Sequence, residues 1–139
     1  MRAARNFAGV TAASLAKAED VTLPQLRVLV LASRHGSLNN TAIAQALSVH
    51  LSNATRLCDR LVQAGLLNRQ ESVTDRRNVQ LTLTAAGARL VDQVMDHRRA
   101  ALQGILQQMP PAIHPALQEA LDAFSDAAEA TQPDRLPRF

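Results

Sequence analysis

The stretch "NATRLCDRLVQAGLLNRQESVTDRRNVQLTLTAAG", residues 53–87, changes its hydrophobic period twice, and those changes decide the fold. Up to Val62 the apolar residues recur at helical spacing, with Ala54, Leu57, Cys58, Leu61 and Val62 on one side. Ser52, Asn53, Arg56, Arg60 and Gln63 fall on the other. Gly65 supplies the C-terminal glycine of a helix predicted over about 51–64. Beyond it "LLNRQE" reads as a short strand, and Val79, Leu81 and Leu83 alternate with Gln80, Thr82 and Thr84, the period of a second strand. The two make a β-hairpin whose tip carries Asp75, Arg76 and Arg77. A turn needs polar residues, but it does not need two adjacent arginines behind an aspartate.

Upstream, "LNNTAIAQALS" predicts a short helix with Ile43, Ala44 and Leu47 on one face, capped by Asn39 or Asn40. Two short helices joined by a tight turn, the second with a polar, basic outer face, have the organisation of a helix-turn-helix. Before them, "VTLPQLRVLVLASRHG" is a well-marked helix: Thr22 is an N-cap with Gln25 three residues on, Pro24 sits in the first turn and Gly36 closes it. The first segment, about 3–18, is a weakly amphipathic helix that needs a partner surface.

Downstream, Thr84 caps a long helix over about 85–108 with Leu90, Val91, Val94, Met95, Leu102, Ile105 and Leu106 facing a partner. "MPPAIHP" breaks it, because proline removes an amide donor and clashes with the preceding turn. A last helix, about 114–130, carries Leu117, Leu121 and Phe124 before a Pro-containing tail. The predicted order is four helices, a hairpin, a long helix and a final helix.

Composition narrows the function classes. A chain of 139 residues has room for one domain. With 47% hydrophobic residues but no Trp or Tyr and three Phe, its core must be aliphatic, which favours helix-on-helix packing. The net charge is +3, and fourteen of the fifteen basic residues are Arg, whose planar fork suits phosphate and guanine. The single Cys58 excludes an intrachain disulfide framework, and there is neither a signal-peptide pattern nor an apolar run of the ~18 residues that a membrane span needs. These features predict a cytoplasmic protein.

Taken in order and spacing, the "TRL.DRL..AGL" helix, the "TDRR" tip and the "LT.AG" entry to the next helix resemble the MarR family of bacterial transcriptional regulators. The resemblance implies a mainly α fold with a small β-hairpin wing. It makes 1–139 a single domain, in which a winged helix-turn-helix over about 22–90 is flanked by dimerisation helices at about 1–20 and 91–130. The implied activity is sequence-specific binding of double-stranded DNA by a homodimer, most simply as a repressor of a palindromic operator. The chain departs from the family pattern at the start of the second helix, where His50, Leu51 and Ser52 stand in place of the usual residues, so its operator is its own.

In a helix-turn-helix the N-terminal part of the second helix meets base edges while other groups fix register through phosphates. Leu51, Ser52, Asn53 and Arg56 are therefore candidates for base reading, with Arg60 and Thr41 as positioning groups. By the resemblance Arg77 enters the minor groove with Asp75 as its brace, and Arg76 and Arg69 meet phosphates. The electrostatics agree, since a narrow A·T-rich groove concentrates negative potential. The family's effector pocket maps near Leu26, Arg27, Val30 and His35, and a small aromatic or phenolic effector is implied. Helix-packing Leu and Val look the same with no pocket at all.

Other readings have less behind them. Arg56 and Arg60 also fit a solvated helix face paired with Asp59. Cys58, on the inward face and without a second cysteine, reads as a small hydrophobe before it reads as a redox sensor. His35, His50, His97 and His114 lack metal-ligand spacing. No nucleophile, base and oxyanion set, phosphate loop or cofactor motif is present, which predicts a protein that is not an enzyme and needs no cofactor. The rival class is a winged helix that has become a protein-interaction module, which would have no need of arginines at 56, 60, 69, 76 and 77.

Overall fold

The structure, a computed structural model, describes residues 1–16, 21–71 and 79–131. Six helices and a small antiparallel sheet follow one another as α1 (Arg2–Ala16), α2 (Leu23–His35), β1 (Ser37–Leu38), α3 (Asn40–Leu47), α4 (Leu51–Gln63), β2 (Leu67–Glu71), β3 (Val79–Leu83), α5 (Ala85–Gln107), a 3-10 turn (Pro111–Ile113) and α6 (His114–Thr131). The mainly α fold with a small β wing is as predicted. The order of helices is also as predicted.

The helix ends follow from local chemistry. At the start of α2 the Gln25 side chain accepts from the Thr22 backbone N–H (2.8 Å), which satisfies a donor that helix geometry leaves orphaned. Of the two asparagines before α3, Asn39 is the cap: its Oδ1 accepts from the Ala42 N–H at 2.8 Å. Ser48 adopts a left-handed conformation (φ 54°) that turns the chain from α3 into α4. Gly65 (φ 71°) ends α4, with its own N–H on the Val62 carbonyl and the Leu66 N–H on that of Leu61. "MPPAIHP" ends α5 as proline chemistry requires, and the segment winds into the 3-10 turn before α6 begins.

The sheet corrects the sequence reading. A two-stranded hairpin was expected, but β3 lies between β2 and β1, with Leu38 opposite Leu81 and Leu67 opposite Leu83. Strand β1 is two residues long, too short to show an alternating pattern, and only its pairing with β3 makes it a strand. The first helix also begins one residue earlier than expected, and its predicted end at residue 18 falls outside the described residues.

The core gathers α2, α3, α4, the sheet and the first half of α5. Val28, Leu29, Ile43, Cys58, Leu61, Leu67 and Leu81 are fully buried in it. Full burial of each such aliphatic side chain contributes roughly 1.5–3 kcal/mol against solvent exposure. The joint between α4 and α5 is especially close. Thr84 caps α5 by accepting from the Gly87 N–H (3.0 Å) and donates to the Gly65 carbonyl (2.7 Å), while its own N–H bonds Leu66 O. A Cβ on Gly87 would lie 2.2 Å from the Leu66 carbonyl oxygen, so the glycine of "LTAAG" lets α5 start directly on the turn that ends α4. No described helix is long and apolar enough to cross a membrane.

Candidate nucleic-acid interface

Helix α4 is held from below. Ala54, Cys58 and Leu61 are buried at consecutive helical positions, and with them anchored the opposite side must face outward. That side presents Ser52, Asn53, Arg56 and Arg60, all exposed, so the structure brings these four of the predicted set together on one face, whereas Leu51, also exposed, stands in line with Ala54 and Cys58. Leu51 is 52% exposed, a large apolar side chain at the helix entrance with no place in the core. Thr41 is exposed in the first turn of α3.

The polar groups of this face are partly preorganised. The Arg56 guanidinium donates to Asn53 Oδ1, one helical turn back, which fixes both side chains in the same patch. Asp59 does not pair with Arg56 or Arg60. It forms an ion pair with Arg69 of β2, tying the outer edge of α4 to the base of the hairpin. Sequence reasoning assigned Arg69 to phosphate and missed this brace. The one available signal was a lone acid inside an otherwise basic face, and it did not name a partner ten positions away on a strand.

Asp75, Arg76 and Arg77, the predicted hairpin tip, lie outside the described residues. Of the suggested effector residues, Leu26 and Val30 are buried in the core, Arg27 is half-buried and His35 is exposed at the end of α2. An open apolar groove of about 410 Å³ lies elsewhere, between α1, α5 and α6, lined among others by Phe7, Val10, Leu102, Leu117 and Leu121. At its edge Arg98 donates to the Thr11 hydroxyl (2.8 Å), tying α5 to α1.

Cys58 has its thiol closed in the core. Burial pushes its pKa up from 9.0 to about 11, with Asp59 adding to the rise and Arg69 opposing it. A neutral, enclosed thiol is a poor nucleophile at physiological pH. Its place between Ala54 and Leu61 is that of a core residue.

A helix pair with the second helix exposed along a basic edge, followed by a hairpin and flanked by long helices, defines a winged helix-turn-helix protein. Comparison with known proteins narrows the class. The model of the MarR family matches residues 21–79. The chain is 34% identical to the HTH-type transcriptional repressor MdtR of Bacillus subtilis, over 78% of this chain and 73% of MdtR. It is likewise 34% identical to YfiV, an uncharacterised HTH-type transcriptional regulator of the same organism, over 79% of this chain and 69% of YfiV. Among solved structures, RV1404 from Mycobacterium tuberculosis superposes with a TM-score of 0.87 at 37% identity, covering 99% of this chain and 91% of that one. The chain belongs to the MarR family.

Proposed function

We propose that the chain is a homodimeric, sequence-specific DNA-binding regulator that represses transcription from a roughly palindromic operator. The observation that carries the reading is the outer face of α4, where Ser52, Asn53, Arg56 and Arg60 stand exposed together opposite the buried Ala54, Cys58 and Leu61. In this reading α4 enters the major groove. Asn53 and Arg56 read base edges, Asn suiting adenine and Arg guanine. Leu51 and Ser52 touch bases or sugars nearby, and Arg60 and Thr41 fix register on phosphates. At the wing, Arg77 probes the minor groove, Asp75 braces it and Arg76 meets phosphate. Arg69 contributes positive charge at the wing base while its pair with Asp59 sets the angle between wing and helix. Repression follows the similarity to MdtR, a transcriptional repressor.

The dimer is supported by α6, whose main contact within the chain is the 3-10 turn before it and which buries none of its described side chains. A helix in a protein gains most of its stability by packing its apolar face, so α6 needs a second surface. A two-fold pair would set two α4 helices about one DNA turn apart. In this arrangement residues 22–90 read DNA, and 1–20 with 91–130 hold the dimer.

Titrating binding to random duplex DNA against salt tests the core of the reading. Affinity should fall steeply with added salt as phosphate contacts release counterions. Arg56→Ala should weaken binding to a genome-selected operator by about 1–3 kcal/mol. Arg77→Ala should weaken it with the dimer intact. If the wild-type chain binds no duplex at low salt, the winged domain serves protein contacts instead.

A further inference from the structure

The groove between α1, α5 and α6 is apolar, and apolar burial alone would accept any aliphatic helix, including that of a related regulator. We propose that two copies of this chain are keyed to each other by charge, with the arginines that open α1 of one copy lying against the acidic face of α6 of the other. The inference rests on the dimer reading and adds what selects the partner.

The two helices carry opposite charge without mixture. Helix α1 has Arg2 and Arg5 and no acidic residue; α6 has Glu119, Asp122, Asp126 and Glu129 in sequence and no Lys or Arg. Arg2, Arg5, Glu119, Asp122 and Asp126, five side chains, are exposed. Among the described residues the ion pairs are Arg69 with Asp59 and Arg99 with Asp96, so none of the five is paired with another described residue.

Their placement is also adverse for the isolated chain. Arg2 and Arg5 stand in the first turn of α1, at the positive end of its dipole, where an acid would be favoured. The last turn of α6, the negative end, has no base. Each helix therefore lacks what the other supplies.

The two helices that carry these charges also wall the apolar groove. Phe7 and Val10 of α1 and Leu117 and Leu121 of α6 line it, and Asp122 and His114 are among the residues that line an adjoining cavity. Asp122 and Asp126 are four residues apart and share a face. Phe124, 71% exposed, lies between them in sequence. A second copy is the occupant that the charges favour, because one chain presents both complementary halves. A two-fold axis then uses each pairing twice. The groove supplies affinity, and the charges decide which chain is admitted.

The test uses the full chain and two double variants, Arg2→Glu with Arg5→Glu and Asp122→Arg with Asp126→Arg. Circular dichroism checks that each stays helical. In sedimentation at low salt, each variant alone should dimerise on the order of tenfold more weakly than wild type or worse, because like charges then face each other. An equimolar mixture should recover a mixed dimer near wild-type affinity. The wild-type dimer should also loosen as salt rises. Unchanged dimerisation of the variants, a mixture that fails to recover, or a salt-independent wild-type dimer each overturns the charge key while leaving the dimer standing. A wild-type chain that is monomeric at every concentration overturns the dimer reading itself.

Discussion

Between Leu26 and Val94 most of the described apolar side chains close on one another, Val49 and Leu51 excepted, whereas from Ile105 onward most side chains of the same types remain open. Leu29, Ile43, Leu61 and Leu81 are fully enclosed. Leu121 is 43% exposed, and Ile105, Leu106, Ile113 and Phe124 share its condition. Residue type does not explain the difference. In the winged part, three helices and a sheet converge from different directions, so each apolar face meets another. Helix α5 runs on past that cluster, and α6 follows it without a sheet or crossing helix to cover it. The winged part is thus closed within one chain, and the flanking helices leave large apolar side chains uncovered.

The largest effect should separate these two regions directly. Leu61→Ala empties a fully buried position and should destabilise the fold by about 3 kcal/mol at any protein concentration, as measured by urea denaturation. Phe124→Ala should leave the unfolding of a dilute, dissociated chain nearly unchanged and act on dimer dissociation instead. Equal effects of the two in dilute solution would erase the contrast.

Gly87→Ala probes the joint between the regions, since its Cβ would have to displace the Leu66 backbone. Overpacking of this kind costs roughly 1–3 kcal/mol. Because α5 would start from a shifted position, DNA affinity should fall as well, whereas a loss of stability with operator affinity intact would mean that the joint does not set the reading helix.

A smaller effect should appear with pH. The Cys58 thiol ionises near 9.0 when unfolded and near 11 in the core, so the unfolded chain gives up its proton first and gains from rising pH. The contribution of Cys58 is fully present below about pH 9 and is lost between there and about pH 11. The chain has no Tyr, and Lys17 is its one lysine, which leaves this window little crowded. Melting temperatures recorded from pH 8 to 10.5 should decline, and Cys58→Ala should flatten the slope. An identical decline in both chains would assign it to other groups.

Much of the fold was legible because its signals are short in range. The periods of α2, α4 and α5, the caps at Asn39 and Thr84 and the glycine at 65 each act within a few residues. The candidate reading face was legible for the same reason: anchoring Ala54, Cys58 and Leu61 inward sends Asn53, Arg56 and Arg60 outward on any helix. The effector positions rest on no such local signal. Leu26 and Val30 sit on a helix whose neighbours, not its own pattern, decide whether a cavity opens beside them, and here they are packed into the core.

What the amino-acid order settled was therefore periodicity, punctuation and charge placement, together with the family to which they belong. Only the folded chain decided the pairing of β1 with β3, the choice of Arg69 for Asp59, the contact that requires a glycine at 87 and the exposure of α6. Each joins segments whose meeting depends on how the elements pack. A strand of two residues or a lone aspartate has no period to announce its partner, whereas a helix repeats its message every turn.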